Sequence, residues 1–424
     1  MSIKDIYELY KQFPDVTTDS RVCPENSIFI ALKGDHFNGN EFAKTALEKG
    51  CRYAIVDEEK YADGERILLV DNCLQTLQLL AAHHRRELKT PVIGITGSNG
   101  KTTTKELVAA VLSRKYTLLY TEGNLNNHIG VPLTLLKLRA GHKIAVVEMG
   151  ANHLHEIAEL CAIAEPDYGI ITNIGKAHLE GFGSFEGVIK TKGELYGFVR
   201  KNGGKIFINE DNSILNNISE GIKKITYSLK NPAAFVYATP AENEFFLKIL
   251  WEEKPISTHL TGLYNAENIV AALCIGQYFA VEKDEIIAAI ENYVPDNNRS
   301  QFTETERNKL VIDAYNANPT SMLAAVKNFA EMKSERKALI LGDMLELGAA
   351  SAKEHQAMVD FLQEMNLENV LLVGKEFSKT KSLFQIFPTT GDCAAFLKQN
   401  SLAGYTILMK GSRGMKLETL KEFL

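Results

Sequence analysis

The sequence predicts an α/β protein of three domains with parallel sheets, and two observations lead to that prediction. The chain has 424 residues, and because a domain commonly holds ~150 residues, this length favours two or three separate cores. Short apolar runs alternate with helical patterns along most of the chain, which is typical of parallel sheets covered by helices. Breaks in this alternation divide the chain into residues 1–90, 91–297 and 298–424.

The first domain is predicted to be a small α/β unit. Apolar residues recur at helical spacing over residues 3–13 and are interrupted by charges, which indicates an amphipathic helix and not a signal peptide. Strands are predicted at residues 27–32, 53–56 and 67–70, and helices at 41–49 and 76–88. Thr90-Pro91 marks the end of the domain, because proline disfavours helix in the residue before it.

The second and third domains show the most regular alternation. In the second, strands are predicted at residues 92–96, 143–147, 168–172 and 205–209, and a helix at 103–115. A helix at 265–279 is apolar nearly all round, so we expect it to be buried. Pro295 and the polar string DNNRS follow as a boundary. Strands at residues 310–313, 338–341, 370–373 and 406–409 then predict a third domain of the nucleotide-binding type.

The composition excludes several classes of protein. Lysine and arginine number 47 and aspartate and glutamate 53, which gives a formal net charge of −6. A mildly acidic chain without a basic tract is a poor candidate for binding nucleic acid. No apolar run is long enough for a membrane-spanning helix. The six scattered cysteines form no CxxC pair, which favours a reducing compartment over a disulfide framework or a zinc site.

The strongest motif is the glycine loop after the first strand of the second domain, where residues 94–104 read GITGSNGKTTT. Backbone N–H groups of such a turn converge on one point, and the N-terminus of the next helix adds partial positive charge. Lys101 can reach the β- and γ-phosphates of a nucleotide, and Thr102 can place its hydroxyl on Mg²⁺. The common pattern G-x-x-x-x-G-K-S/T would place its first glycine at position 95, where this chain has Ile95. The glycine stands at Gly97 instead. The alternative is a chance turn carrying a surface lysine.

Two other segments supply candidate metal ligands. Glu148 follows the predicted strand KIAVV, and a carboxylate at the C-terminal end of a neighbouring parallel strand can bind the nucleotide's metal. It could instead cap the following helix. Asn173 and His178 follow the next strand, although a lone histidine is more often structural than a ligand.

The motifs together resemble the Mur ligase family, the ATP-dependent amide ligases of bacterial cell-wall precursor synthesis. Six strings occur in family order: TGSNGKTTTKE, GNLNNHIGVPLT, VEMG, TNIGKAHLEGFGS, KTKGELY and GLYNAENIVAA. Three more, DAYNANPTSM, LGDMLELG and KGSRGMKLE, resemble the member that joins D-Ala-D-Ala to UDP-MurNAc-tripeptide. The resemblance covers nearly the whole chain. It implies a UDP-binding N-terminal domain, a central P-loop ATPase domain and a Rossmann-like C-terminal domain.

The resemblance also implies roles for individual residues around ATP and two Mg²⁺ ions. The phosphate group would be held by Gly97, Ser98, Asn99, Gly100, Lys101, Thr102 and Thr103. Thr102 and Glu148 would bind one Mg²⁺, and His178 and Lys192 would bind the second. Lys192 matches the family lysine that is carbamylated, and a carbamate reverses its charge so that it can bind a cation. Lys190 is a second candidate for the carbamylated lysine, and either residue could instead be an ordinary surface lysine.

Other contacts implied by the resemblance come from all three domains. Asn268 would lie near the adenine, unless it caps a helix, and the C-terminal domain would bring Arg299 to the phosphates and Asp313 to the ribose. The family string DDSYNANP reads IDAYNANP here, which removes one polar contact and keeps Asp313. The UDP substrate is assigned to Ser20, Arg21, Asn38, Gly39, Asn126 and Asn127. The D-Ala-D-Ala side is assigned to Asn316, Asn318, Asp343, Ser412 and Arg413, for which local turn capping is the alternative.

The implied reaction activates the tripeptide carboxylate as an acyl phosphate, which the amine of D-Ala-D-Ala then attacks. We therefore expect a cytoplasmic, monomeric ligase with Lys101, His178 and Lys192 as catalytic residues and without a nucleic-acid partner. A second hypothesis is another ligase of the superfamily, either folylpolyglutamate synthase or a Mur ligase that adds one amino acid. A third is a P-loop switch or motor, which would turn over ATP without an acceptor amine.

Overall fold

A computed structural model describes residues 1–241, 245–365 and 367–424. Three main sheets, of four, nine and six strands, follow one another along the chain, with a separate two-stranded hairpin in the N-terminal part. The predicted α/β class with parallel sheets is confirmed. In the described part of the chain, no helix combines the length and apolar character needed to cross a membrane.

The N-terminal sheet is parallel, in the order β1-β2-β5-β6. Its strands and the hairpin β3–β4 are β1 Val16–Thr17, β2 Ile28–Ile30, β3 Lys33–Gly34, β4 Phe37–Asn38, β5 Tyr53–Val56 and β6 Ile67–Leu69. The helices are α1 Ile3–Gln12, α2 Ala43–Glu48 and α3 Cys73–Leu88. Helix α1 begins at Ile3 because Ser2 and Asp5 form a capping box, each side chain bonding the other's backbone N–H.

The central sheet is parallel from β8 to β13 and ends in an antiparallel β13–β14–β15 meander. Its order is β15-β14-β13-β12-β11-β10-β7-β9-β8. The strands are β7 Val92–Thr96, β8 Leu118–Tyr120, β9 Ile144–Glu148, β10 Tyr168–Ile171, β11 Lys205–Asn209, β12 Lys223–Ser228, β13 Val236–Pro240, β14 Lys248–Trp251 and β15 Lys254–Ser257. The helices are α4 Lys101–Leu112, α5 Gly130–Leu135, α6 Glu156–Ala164, α7 Leu179–Phe182, α8 Phe185–Lys201, α9 Ser213–Ile218, α10 Asn265–Tyr278 and α11 Lys283–Glu291.

The two faces of the central sheet have separate cores. On one face α10 packs against α4 and is buried along most of its length, as its apolar composition predicted. On the other face α6 and α8 cover the sheet, and α3 of the N-terminal unit packs against α5 and α6. The apolar cluster on this face continues into the N-terminal unit without interruption. The first two sheets therefore share one hydrophobic core.

The C-terminal sheet has the order β16-β17-β21-β18-β19-β20, parallel apart from the edge strand β16. Its strands are β16 Gln301–Glu304, β17 Lys309–Asp313, β18 Lys337–Gly342, β19 Val370–Val373, β20 Gln385–Phe387 and β21 Thr406–Lys410. Its helices are α12 Pro319–Glu331, α13 Ser351–Glu364 and α14 Thr390–Gln399. Apolar clusters on both faces give this sheet a core of its own.

Candidate functional site

A cleft of about 570 Å³ lies where the carboxyl ends of the central strands meet those of the C-terminal sheet. It is lined by side chains from both sheets, as expected for a ligand site in an α/β protein. The predicted site residues in this lining are Ser98, Asn99, Gly100, Lys101, Thr103, Asn126, Asn127, Glu148, His178, Asn268, Arg299, Asp313 and Asn316. The structure thus brings together most residues predicted for the nucleotide, and two of the four predicted metal ligands, Glu148 and His178, line the same cleft.

The glycine loop between β7 and α4 requires both of its glycines. Gly97 has φ +146°, and a Cβ there would lie 2.0 Å from the Thr172 hydroxyl. Gly100 has φ +79°, and a Cβ there would lie 2.5 Å from Asn268 Oδ1. The Asn99 N–H donates to Asn173 Oδ1 at 3.0 Å, which fastens the loop to the segment after β10. The loop is therefore rigid and close-packed, as phosphate binding by backbone amides requires.

Lys101, the first residue of α4, folds back onto this loop. Its Nζ donates to the Gly97 carbonyl at 2.7 Å and to the Ser98 carbonyl at 3.4 Å. The pKa of Lys101 is lowered to about 8, chiefly by burial; the charge of Glu148 opposes this shift and that of Arg299 adds to it. Phosphate oxygens entering the loop would meet an ammonium group that is already in position.

The pKa of Lys101 predicts how ATP affinity depends on pH. Below pH 8 the lysine is charged before ATP arrives. Above pH 8 binding must take up a proton, so the affinity for ATP should fall by up to about tenfold per pH unit. Calorimetric titration from pH 7 to 9.5 measures this, with Lys101→Arg as a control that stays charged. An equal slope in both proteins would contradict the assignment of Lys101.

Glu148, the last residue of β9, is buried beside the loop. Its Oε1 accepts hydrogen bonds from the Thr102 hydroxyl at 3.2 Å and from Asn126 Nδ2 at 2.8 Å. Its Oε2 is buried without a hydrogen-bond partner, and a buried anionic oxygen is costly unless a cation or donor satisfies it. Neither contact is with α6, the helix that follows Glu148 in the chain, so the geometry favours the metal-ligand interpretation over capping of that helix.

The residues fit Mg²⁺ held jointly with a nucleotide. Among the described residues, no three His, Cys, Asp or Glu side chains form a cluster able to enclose a metal. Mg²⁺ commonly uses only one or two protein ligands and takes the others from phosphates and water. Thr102 and Glu148 provide such a set.

His178 contacts a residue that the sequence did not single out. It follows β10 in a left-handed conformation, with φ +51°, and its ring lines the cleft. Nδ1 donates to Oε2 of Glu346, a residue of the loop that follows β18 in the C-terminal domain. This hydrogen bond is the main reason that the pKa of Glu346 is lowered. Glu346 lies in the string LGDMLELG, which carried only the family resemblance, and no local pattern pairs it with His178.

Lys192 and Lys190 differ in exposure. Lys192 points inward from α8 with 1% of its surface exposed, and its Nζ donates to the Ala151 carbonyl at 3.3 Å. Its Nζ also lies 5.4 Å from the centre of the Phe182 ring. Burial, together with the charge of Lys101, holds the pKa of Lys192 well below its usual range. Lys190 is exposed, so only Lys192 occupies an enclosed position.

Asn268 and Asp313 each have a partner in the cleft wall. Asn268 Oδ1 accepts from the Thr104 hydroxyl at 3.1 Å, so this residue of α10 contacts the phosphate-loop helix. The Asp313 carboxylate accepts from Lys410 Nζ at 2.6 Å. Lys410 is 2% exposed and ends the neighbouring strand β21. It was not predicted, and its only signal in the sequence was its position at the start of KGSRGMKLE.

Tyr315 is a second unpredicted residue of the cleft. The Arg299 guanidinium lies 3.9 Å from the centre of its ring, and that of Arg413 lies 5.4 Å from it. Arg299 Nε is buried without a hydrogen-bond partner. The ring therefore holds two predicted cations together at the cleft.

Some of the residues predicted for D-Ala-D-Ala contact the cleft, and others instead bond to backbone N–H groups of neighbouring loops. Asn318 caps α12 and its Nδ2 donates to Asn99 Oδ1 at 2.7 Å, which joins the C-terminal sheet to the glycine loop. The Asp343 carboxylate instead accepts the backbone N–H groups of residues 376 and 377. The Ser412 hydroxyl accepts the Leu345 N–H at 2.9 Å. Asp343 and Ser412 thus have structural partners, in accord with the turn-capping alternative.

The N-terminal residues predicted for UDP lie outside the cleft lining. Arg21 pairs with Asp19 at 2.7 Å and is exposed, and the Ser20 carbonyl accepts from Lys49 at 2.9 Å. Asn38 Oδ1 accepts the N–H of residue 40. Gly39 packs so closely on the backbone of residue 32 that a Cβ would lie 2.2 Å from its carbonyl oxygen. Their role in binding UDP stays a prediction.

A rigid glycine loop, a buried carboxylate on the neighbouring strand and a further domain facing both are the features of a P-loop enzyme that uses a nucleotide. Comparison with known families identifies which one. The chain belongs to the Mur ligase family, as its motifs predicted. Residues 14–85 match the Mur ligase family catalytic domain, residues 95–276 the Mur ligase middle domain and residues 298–413 the Mur ligase glutamate ligase domain.

Individual relatives match over nearly the full chain. The proteins named UDP-N-acetylmuramoyl-tripeptide–D-alanyl-D-alanine ligase from Bacillus subtilis and Escherichia coli are 34% and 35% identical, covering 96% and 95% of this chain and 92% of each relative. A crystal structure of MurF from Acinetobacter baumannii has a TM-score of 0.84 at 31% identity, covering 96% of this chain and 92% of that one. MurF from Thermotoga maritima, in complex with ADP, has a TM-score of 0.85 at 26% identity and covers 96% of both chains.

Proposed function

We propose that this protein is an ATP-dependent amide ligase that joins D-Ala-D-Ala to UDP-MurNAc-tripeptide and releases ADP and phosphate. The observation that carries the proposal is the cleft in which the glycine loop faces the C-terminal sheet through the contact between Asn99 and Asn318. A nucleotide and an acceptor held on two different domains can meet there. The full-length similarity to relatives named for this reaction supports the same function.

The proposed chemistry has two steps. A tripeptide carboxylate oxygen attacks the γ-phosphorus of ATP, and the bond from that phosphorus to the β–γ bridging oxygen breaks, releasing ADP. The amine of D-Ala-D-Ala then attacks the acyl carbon, loses a proton and expels phosphate. Lys101 and Arg299 neutralise phosphate charge that would otherwise repel the attacking carboxylate, so much of the catalysis is positioning and electrostatics.

Thr102 and Glu148 are proposed to hold one Mg²⁺, and His178 and carbamylated Lys192 the second. When bound, Mg²⁺ supplies positive charge to the phosphate oxygens. The carbamate forms when the neutral Lys192 amine attacks CO₂ and loses a proton. Burial of Lys192 and its lowered pKa support this step, because only the uncharged amine is a nucleophile.

The remaining assignments complete the proposal. Residues 1–90 bind the UDP end, residues 91–297 bind ATP and residues 298–424 bind D-Ala-D-Ala. Asn268 contacts the adenine side, and Asn126 and Asn127 lie near the reacting carboxylate. We propose a monomer, and a cytoplasmic location, where ATP and the precursor are available.

Release of phosphate tests the function directly. With ATP, UDP-MurNAc-tripeptide and D-Ala-D-Ala, the purified protein should release phosphate and form the pentapeptide. Glutamate, lysine or diaminopimelate in place of D-Ala-D-Ala should give little release. Equal release with one of these would favour another ligase of the superfamily, and release without any acceptor would favour a switch or motor.

We expect Asp313 to contribute to the binding of ATP and not to the binding of the UDP substrate. Asp313→Asn keeps an oxygen to accept from buried Lys410 but removes the charge. We expect ATP affinity to fall about tenfold, equivalent to ~1.4 kcal/mol, which is typical of a lost charged hydrogen bond. Affinity for UDP-MurNAc-tripeptide should stay within about twofold. Calorimetric titrations measure both, and equal losses would mean that Asp313 supports folding.

A further inference from the structure

Glu346 of the C-terminal domain contacts His178, one of the proposed metal ligands, but has no role of its own in the proposed chemistry. Its carboxylate accepts a hydrogen bond from His178 Nδ1 across the boundary between two sheets. A carboxylate can only accept, so the proton of the neutral imidazole lies on Nδ1. The other ring nitrogen, Nε2, has no hydrogen-bond partner in the described part of the chain and retains its lone pair.

The loop that carries Glu346 is held firmly. It follows β18, and the two residues before Glu346 are each fixed through their backbone N–H groups. The Met344 N–H donates to Nε2 of buried His355 at 3.0 Å, and the Leu345 N–H donates to the Ser412 hydroxyl at 2.9 Å. Glu346 itself has φ +63°, a conformation that non-glycine residues rarely adopt. Strain at a residue is often linked to a functional contact.

Glu346 is one of several contacts along the same boundary. Its carbonyl accepts the N–H of residue 180, which follows His178 closely in the chain. Lys176 Nζ pairs with Glu354 of α13 at 2.9 Å. This second pair joins the same two sheets and does not touch the imidazole of His178. It therefore provides a natural control for any role of Glu346 beyond holding the domains together.

We infer that Glu346 is a positioning residue that fixes the tautomer and orientation of His178, so that Nε2 is available to ligate a metal when the C-terminal domain lies against the central domain. Metal-binding histidines almost always donate their second N–H to a carboxylate, carbonyl or water, and loss of such a partner typically weakens metal binding or activity 10- to 100-fold. The inference rests on the proposed ligase function for the metal's purpose, but the His178–Glu346 hydrogen bond can be tested without it.

The test compares Glu346→Ala and Glu346→Gln with Glu354→Ala in the full-length protein. ¹⁵N NMR of the histidine rings in the metal-free protein reports the tautomer, with His178→Asn used to assign the signal. We expect wild-type protein, Glu354→Ala and Glu346→Gln to keep the proton on Nδ1, since glutamine still offers an oxygen. Glu346→Ala should show a mixed or reversed tautomer.

Binding of Mn²⁺ in the presence of ATP gives a second measurement, by electron paramagnetic resonance. Glu346→Ala should lower the affinity of one Mn²⁺ site about 10- to 100-fold. Glu354→Ala should change the affinity of that site less than about twofold, as expected for an exposed pair. An unchanged His178 tautomer in Glu346→Ala would overturn the inference. So would equal Mn²⁺ losses in Glu346→Ala and Glu354→Ala, because Glu346 would then only hold the domains together. Failure of wild-type protein to ligate D-Ala-D-Ala would overturn the proposed function and leave the tautomer result standing.

Discussion

Lys192→Ala should lose most of the ligase activity, about 100-fold in kcat, the scale of losing one preorganised charge at a phosphoryl-transfer site. The lysine is 1% exposed and its pKa is held well below the usual range, as carbamate formation requires. Formate or acetate added to the assay should restore part of the activity by occupying the vacated space as a carboxylate. Phosphate release with and without these acids measures both effects.

Lys190→Ala is the matched control, because Lys190 is two residues away on the same helix and exposed. Lys190→Ala should keep nearly full ligase activity, and added carboxylic acids should not change that activity. Melting temperatures of both variants distinguish loss of chemistry from loss of fold. Full activity of Lys192→Ala, or loss and rescue at Lys190 instead, would show that the carbamate is assigned to the wrong residue.

Lys101→Ala should reduce ligation by at least about 1,000-fold with the fold intact, because bound phosphates lose their main point charge. The Lys101 ammonium already lies within the glycine loop, 2.7 Å from the Gly97 carbonyl. No other lysine of α4 can replace it, since Lys105 is fully buried and donates to the Thr121 carbonyl. Single-turnover phosphate release at saturating ATP measures the loss.

Lys115→Ala provides the control, since Lys115 is exposed and lies beyond the far end of α4. Its activity should stay within about twofold of the wild-type value, as for an ordinary surface substitution. UDP-MurNAc-tripeptide should still bind to Lys101→Ala, which shows that the first two sheets are folded. More than a tenth of wild-type kcat in Lys101→Ala would contradict the P-loop assignment.

The predicted strands were most accurate where an apolar run ends sharply at polar or glycine residues. Strands β5, β7, β11 and β19 have the predicted bounds. Strands β12 to β15 were not predicted. Buried residues are mixed with half-buried or exposed ones in each of them, so they lack the continuous buried run that marks β7 or β19. Helix α4 begins two residues earlier than predicted, at Lys101, because the glycine turn leads directly into it.

The site was predictable where its chemistry is local in the chain. The glycine loop, Lys101 and Thr102 are adjacent residues, and their motif implies their geometry. The pairs His178–Glu346 and Asp313–Lys410 join residues 168 and 97 positions apart. A single sequence contains no information on such distances unless a motif already links the two segments. These partners therefore became visible only in the folded chain.

The shared core of the first two sheets has a consequence for substrate selection. Because one apolar cluster runs through both units, they cannot shift relative to each other without breaking close packing. If UDP binds to the N-terminal domain as proposed, and the γ-phosphate lies at the glycine loop before α4, the two ends of the substrate would be held a constant distance apart. An enzyme built in this way would select a precursor by its length, since a peptide that is too short would leave its carboxylate away from ATP.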